Sequence, residues 1–249
     1  MIIKALLSIA IWTVGLLLTI LLWLVMLFFT IILFFFDKKR KFVHAQCYWW
    51  ADAVIGLNPY WNLGVSGLEN IDKRRTYVIV ANHQSLADIV VMYKTRMQFK
   101  WVAKESLFKV PFVGWSLSLA RHISLARGEF SSIKEVYRKA IEWLRKDVSV
   151  LFFPEGTRSQ NGKIQDFQNG AFKLAIREKR PILPISIDGT AGAIPKGSWL
   201  FSAKTPCRLT VLPPIETTDF EIKDFAVLRD LVRAQLDRIS LKEGAPVKA

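Results

Sequence analysis

The sequence predicts an α/β fold, a central mostly parallel or mixed sheet flanked by helices, with an N-terminal membrane-embedded helical segment. Three observations carry this reading. Residues 5–36 form a run of 32 positions without one Asp, Glu, Lys, Arg or His, longer than the roughly 20 apolar residues a spanning helix needs. Beyond Tyr60, short runs rich in β-branched residues alternate with segments of helical periodicity, the pattern of helices packed on a sheet. The 249 residues suffice for one such domain plus an appendage and show no internal repeat. The predicted division is 1–57 as membrane-anchoring helices and 58–249 as the α/β domain.

A cleaved signal peptide would have an apolar region of only about 7–15 residues followed by small residues, whereas this run ends in FFFDKKRK. As one straight helix it would measure about 48 Å against a hydrocarbon core of about 30 Å. The length therefore predicts a break near Gly15, or a helix that enters and turns within one leaflet, with Trp12 and Trp23 near the headgroups. Residues 42–57 carry Tyr48, Trp49 and Trp50 among few charges and stop before Asn58-Pro59, where proline disfavours further helix. They read as an interfacial helix; a core helix of the domain is the competing reading, because aromatic residues serve both settings.

The net charge of +14 admits nucleic acid or an anionic membrane surface as partner. The apolar run selects the membrane lipids and excludes nucleic acid. Lys38, Lys39, Arg40 and Lys41 follow that run directly, where a basic cluster marks the cytoplasmic side. The domain is therefore expected at the cell inner membrane, facing the cytoplasm. Cys47 and Cys207 are too few and too far apart for a disulfide framework or a metal site, so no metal is expected.

Strands are expected over 63–67, 76–81, 99–103, 122–126, 149–153, 182–187 and 208–212. Ser132 and Glu135 stand three apart ahead of the apolar face Ile133, Val136, Tyr137, Ala140, Ile141 and Leu144, which predicts a capping box at Ser132. A final helix over about 223–241 repeats the pattern with Leu228, Val232, Leu236 and Ile239.

The run TYVIVANHQSLAD places a strand directly before a polar turn and an apolar helix directly after it. Residues five apart on one helix point about 140° away from each other, so His83 and Asp88 meet only if His83 lies in the turn. Asp88 in the first helical turn would then fix the imidazole tautomer while the other ring nitrogen accepts a proton. The competing reading is a solvated capping Asp beside an exposed His. SVLFFPEGTRS makes a second polar loop at a second strand end. There Gly156 allows close backbone approach, and Arg158 offers the forked donors that suit phosphate.

Together NHQSLAD and FPEGTRS resemble the glycerophospholipid acyltransferase family, specifically the bacterial 1-acyl-glycerol-3-phosphate acyltransferases. The motifs stand in the family's order and about seventy residues apart as the family has them, and the likeness covers roughly 58–214. Lys104-Glu105 ahead of Pro111, Arg127 after a β-rich run, and ILPISI are further family-like features. The Arg127 block departs from the pattern, with Arg121 where glycine is usual and Ala126 where an acidic or amide residue is usual. The resemblance implies an acyl thioester donor, acyl carrier protein or coenzyme A, and lysophosphatidic acid as acceptor, with no cofactor.

His83, Lys104, Arg127 and the segment Glu155, Gly156, Thr157 and Arg158 all fall at C-terminal strand ends, the edge where open α/β sheets bind ligands. Lys104, Arg127 and Arg158 would supply positive charge for a phosphate monoester. Glu155 is read as binding the glycerol hydroxyl or holding Arg158, with a carboxylate at a helix N-terminus as the alternative. His44 and His122 lack an orienting carboxylate in sequence and are left out of the site. Another lysolipid acceptor, an esterase or thioesterase using the same pair, and a non-catalytic membrane scaffold are the competing functions.

Overall fold

The computed structural model describes residues 2–126, 128–159, 163–193, 199–201 and 205–243. The first half of the chain runs α1 (Ile2–Ile32), α2 (Lys41–Leu57), β1 (Trp61–Ser66), β2 (Val78–Ala81), α3 (Ala87–Met92), β3 (Phe99–Lys104), α4 (Glu105–Phe108), α5 (Val113–Leu119) and β4 (Ile123–Leu125). The second half runs α6 (Phe130–Arg145), β5 (Ser149–Phe152), α7 (Gly170–Arg177), β6 (Ile182–Asp188), α8 (Thr190–Ala193), β7 (Thr205–Val211) and α9 (Phe225–Glu243). Each expected strand is present close to its expected ends.

The described strands form one sheet in the order β1-β7-β6-β2-β5-β3-β4. Neighbours pair parallel except β6 and β7, which are antiparallel. The sheet is mixed, and β1 and β7 run against the other strands. The C-terminal ends of β2, β3, β4, β5 and β6 therefore share one edge with the N-terminal ends of β1 and β7.

β2 lies between β5 and β6 and is buried along its whole length, as an inner parallel strand covered on both faces must be. Val78 and Val80 join a core built with Val136, Ala140 and Leu144 of α6, Phe172 of α7 and Leu228 and Val232 of α9. Ile79 and Ala81 face the opposite core, which takes Val91 from α3, Leu117 from α5, Val43 and Cys47 from α2, and Leu22 and Met26 from α1. The N-terminal helices thus share apolar packing with the sheet.

No break occurs at Gly15. α1 runs through it, and the Thr19 hydroxyl donates to the Gly15 carbonyl at 2.8 Å. One glycine costs a helix only about 1 kcal/mol, less than leaving backbone groups unpaired in an apolar medium. The reversal comes after Ile32 instead. Buried Asp37 accepts the Lys41, Phe42 and Val43 amides at 2.6, 3.0 and 3.2 Å, closing the start of α2. α1 is long and apolar enough to cross a membrane, and it leaves Leu6, Leu17 and Phe28 among its exposed side chains.

α2 packs Val43, His44, Cys47 and Ala51 inward, so the segment read as interfacial is on this face a core helix. The expected start of α6 also moves. The helix begins at Phe130, and Ser132 does not cap it, because its hydroxyl accepts the Ala126 amide at 2.8 Å while Glu135 pairs with Arg138. In α9, Leu228, Val232 and Leu236 are buried as the periodicity predicts, and a capping box between Glu221 and Asp224 precedes the helix.

His44 and His122 are buried, and burial pushes His44 down to about 3 and His122 well below the ordinary histidine value. The unfolded chain then takes up protons first, so stability is complete above about pH 6.5 and falls as pH drops toward the folded value. The thermal midpoint in detergent is expected to fall between about pH 7 and pH 4, and His44→Gln to flatten that fall.

Candidate active site

β2 delivers the chain to a polar turn at the sheet edge. The Asn82 side chain replaces the missing strand partner there, donating to the Ile187 carbonyl at 2.7 Å and accepting the Ile187 amide at 2.8 Å. These two hydrogen bonds tie the turn to the end of β6. His83 follows outside any helix, and Asp88 occupies the first turn of α3. The Nδ1–Oδ2 distance is 2.6 Å, the contact expected from the strand–turn–helix reading.

Asp88 is completely buried. Its Oδ2 also accepts the Gln84 and Ser85 amides at 2.7 and 2.9 Å, and the Thr190 hydroxyl bonds to Oδ1. Because the ionised carboxylate only accepts, the proton of a neutral His83 lies on Nδ1 and Nε2 is left as the acceptor. The imidazole stacks on Phe153 with ring centroids 4.3 Å apart and 24° between planes. Its ring plane is therefore fixed by packing as well as by the hydrogen bond.

Glu155 takes a different place from the one foreseen. It is buried, its Oε1 accepts the His83 amide at 2.7 Å, and its Oε2 accepts the Gln165 amide at 3.0 Å. The Ser159 amide donates to the His83 carbonyl at 2.8 Å. The two motif loops are thus joined at the backbone of His83 itself. Burial pushes the Glu155 carboxyl above its ordinary value, against the two amides that favour the anion. Gly156 has φ +70, a conformation that favours glycine.

His83, Phe153, Lys104 and residues Glu155, Gly156, Thr157 and Arg158 line one cavity of about 1200 Å³. Its walls continue along Leu86, Trp101, Leu107 and Leu117 to Leu22 and Trp50 of the N-terminal helices. The His83 imidazole, Lys104, Arg158 and an apolar passage therefore line one cavity. Asp88 stands behind His83, away from the cavity lining. Arg127 lies outside the described residues. Among the described residues no cluster of His, Cys, Asp or Glu suited to a metal ion occurs.

Sequence reasoning missed Phe153, Thr190 and the backbone role of Glu155. Phe153 opens FPEGTRS and reads as the last residue of the expected strand; Thr190 lies 102 residues from its partner, and no local pattern links them.

Comparison with known proteins gives the family. A chloroplastic 1-acyl-sn-glycerol-3-phosphate acyltransferase of Arabidopsis thaliana is 35% identical over 185 residues, covering 74% of this chain and 51% of that protein. The chain spans about half the length of the chloroplastic relatives it matches from Arabidopsis thaliana and Brassica napus. A 1-acyl-sn-glycerol-3-phosphate acyltransferase of Borreliella burgdorferi is 29% identical over 182 residues, covering 71% of this chain and 72% of the relative. The crystal structure of the 1-acyl-sn-glycerophosphate acyltransferase PlsC from Thermotoga maritima superposes with a TM-score of 0.84 at 29% identity. It covers 100% of this chain and 99% of that one. Residues 62–188, which hold both motif loops and the sheet edge between them, match the acyltransferase family model, and the chain belongs to that family.

Proposed function

We propose that this chain transfers a fatty acyl group from an acyl thioester to the sn-2 hydroxyl of 1-acyl-sn-glycerol-3-phosphate, giving phosphatidic acid. The observation that carries the reading is the His83–Asp88 pair, whose imidazole lines a cavity that Lys104, Arg158 and many apolar side chains also line. Nε2 of His83 takes the hydroxyl proton as the acceptor oxygen attacks the thioester carbonyl, and Asp88 stabilises the imidazolium that forms. Collapse of the tetrahedral adduct breaks the carbon–sulfur bond, and the imidazolium returns its proton to the departing thiolate. No acyl-enzyme and no cofactor enter this route.

Lys104, Arg158 and Arg127 would hold the acceptor phosphate, with Gly156 and Thr157 shaping the loop against it. The apolar passage suits the acyl chain, and its continuation toward α1 and α2 suits substrates that keep their chains in lipid. Residues 1–57 act as the membrane anchor and 58–249 as the transferase. The basic surface suits acyl carrier protein or coenzyme A, both acidic, on the cytoplasmic face of the inner membrane.

The test is a panel of acceptors with one acyl donor. Lysophosphatidic acid is expected to be the best acceptor, with little free fatty acid released in its absence. Release of fatty acid independent of acceptor would instead mark an esterase. Arg158→Ala is expected to raise KM for lysophosphatidic acid about tenfold or more, as loss of a charge-assisted hydrogen bond does. An acceptor without phosphate should show little of that penalty.

A further inference from the structure

We propose that Thr190 is a positioning residue for the His83–Asp88 pair, holding the Asp88 carboxylate in the rotation that presents Oδ2 to the imidazole. The proposal rests on the acyl-transfer role given to His83 above.

A carboxylate offers about four acceptor sites. Among the described residues the donors to Asp88 are the Nδ1 proton of His83, the Gln84 and Ser85 amides, and the Thr190 hydroxyl. The first three all reach Oδ2. The Thr190 hydroxyl is the donor to Oδ1, and both residues are fully buried. An Oδ1 without that donor would be an anionic oxygen in a place with little access to water, and the carboxylate would turn to share the Oδ2 donors between its oxygens. Rotation about the Cβ–Cγ bond moves the acceptor away from Nδ1, and with it the tautomer and the plane of the base.

Thr190 is itself held in place. Asn82, one residue before the base, clamps both backbone groups of Ile187. Gly189 between them has φ +79 and lies so close to β7 that a Cβ there would sit 2.0 Å from the Pro206 carbonyl oxygen. The sequence Asp188-Gly189-Thr190 therefore turns sharply off β6 and carries the hydroxyl under Asp88. The catalytic turn and the β6–α8 corner are fixed to each other twice, at Asn82 and at Asp88.

The test uses the full chain in detergent with an acyl thioester and the best acceptor of the panel, so that failure of lysophosphatidic acid as acceptor counts against the acceptor assignment alone. Thr190→Val keeps the shape and removes the hydroxyl. It is expected to lower kcat about tenfold or more, with KM for both substrates within about twofold. Thr190→Ser keeps the hydroxyl and is expected to restore kcat to within about threefold, while Thr190→Ala falls with Thr190→Val even if the valine protein folds poorly. On an Asp88→Ala background, Thr190→Val should cost less than about a further twofold, because the group it positions is gone. Wild-type kcat in both Thr190→Val and Thr190→Ala, or a full second loss on the Asp88→Ala background, would overturn the proposal.

Discussion

Replacement of His83 by alanine is expected to lower turnover by about two orders of magnitude or more while leaving the thermal midpoint nearly unchanged. The imidazole accepts the proton in the proposed step, and the other two histidines are poorly suited to replace it, although His122 also lines the cavity. His44 and His122 are held neutral by burial; the Nε2 of His44 faces the Met97 carbonyl at 3.1 Å, and the Nδ1 of His122 accepts the Trp101 amide at 3.2 Å. The fold should survive because the His83 side chain is partly exposed and its backbone, through which Glu155 and Ser159 are bonded, remains in alanine. Asp88→Ala should lose a comparable factor in kcat, together with some stability, since the Gln84 and Ser85 amides lose their acceptor. Single-turnover rates within about threefold of wild type in either variant would remove the pair from the chemistry.

The second large effect is expected at Glu155. Glu155→Ala removes the acceptor for two amides at once, those of His83 and Gln165, at about 1–3 kcal/mol for each group left unsatisfied. The catalytic turn is then free to drift from the FPEGTRS loop, and a misplacement of about 1 Å can cost roughly a hundredfold in rate. Turnover should fall by about tenfold to a hundredfold, with a lower thermal midpoint, which separates this residue from His83. Glu155→Gln retains a carbonyl oxygen for one amide and should fall between. A Glu155→Ala protein with normal stability and a raised acceptor KM alone would return the residue to the glycerol-binding role read from sequence.

The contrast between His83 and Glu155 shows what a sequence can and cannot express. His83 and Asp88 lie within one strand–turn–helix unit, so their meeting follows from local geometry. Glu155 bonds backbone amides that any residue could supply, and Thr190 reaches Asp88 from the start of α8, just after β6. Neither relation leaves a mark in residue type or spacing. The strands were legible from β-branched runs, yet the antiparallel joint of β6 to β7 was not, because a buried run has the same composition in either direction. At Ser132 a valid capping pattern was overridden when the hydroxyl found the Ala126 amide.

Leu22 and Met26 of α1 and Val43, Cys47 and Ala51 of α2 lie in the same core as Ile79 and Ala81 of the central strand. A flexible leash would let the site sample many heights and tilts above a bilayer, and the chance of meeting a lipid hydroxyl would depend on the leash length. Here α1 and α2 share a core with the central strand, so with residues 1–57 as the proposed anchor, the depth of the hairpin in lipid would set the height and orientation of His83. Under that proposal the position of the protein in the membrane and the aim of its proposed base would be one mechanical quantity, and a change in bilayer thickness that shifts the hairpin would be carried to His83.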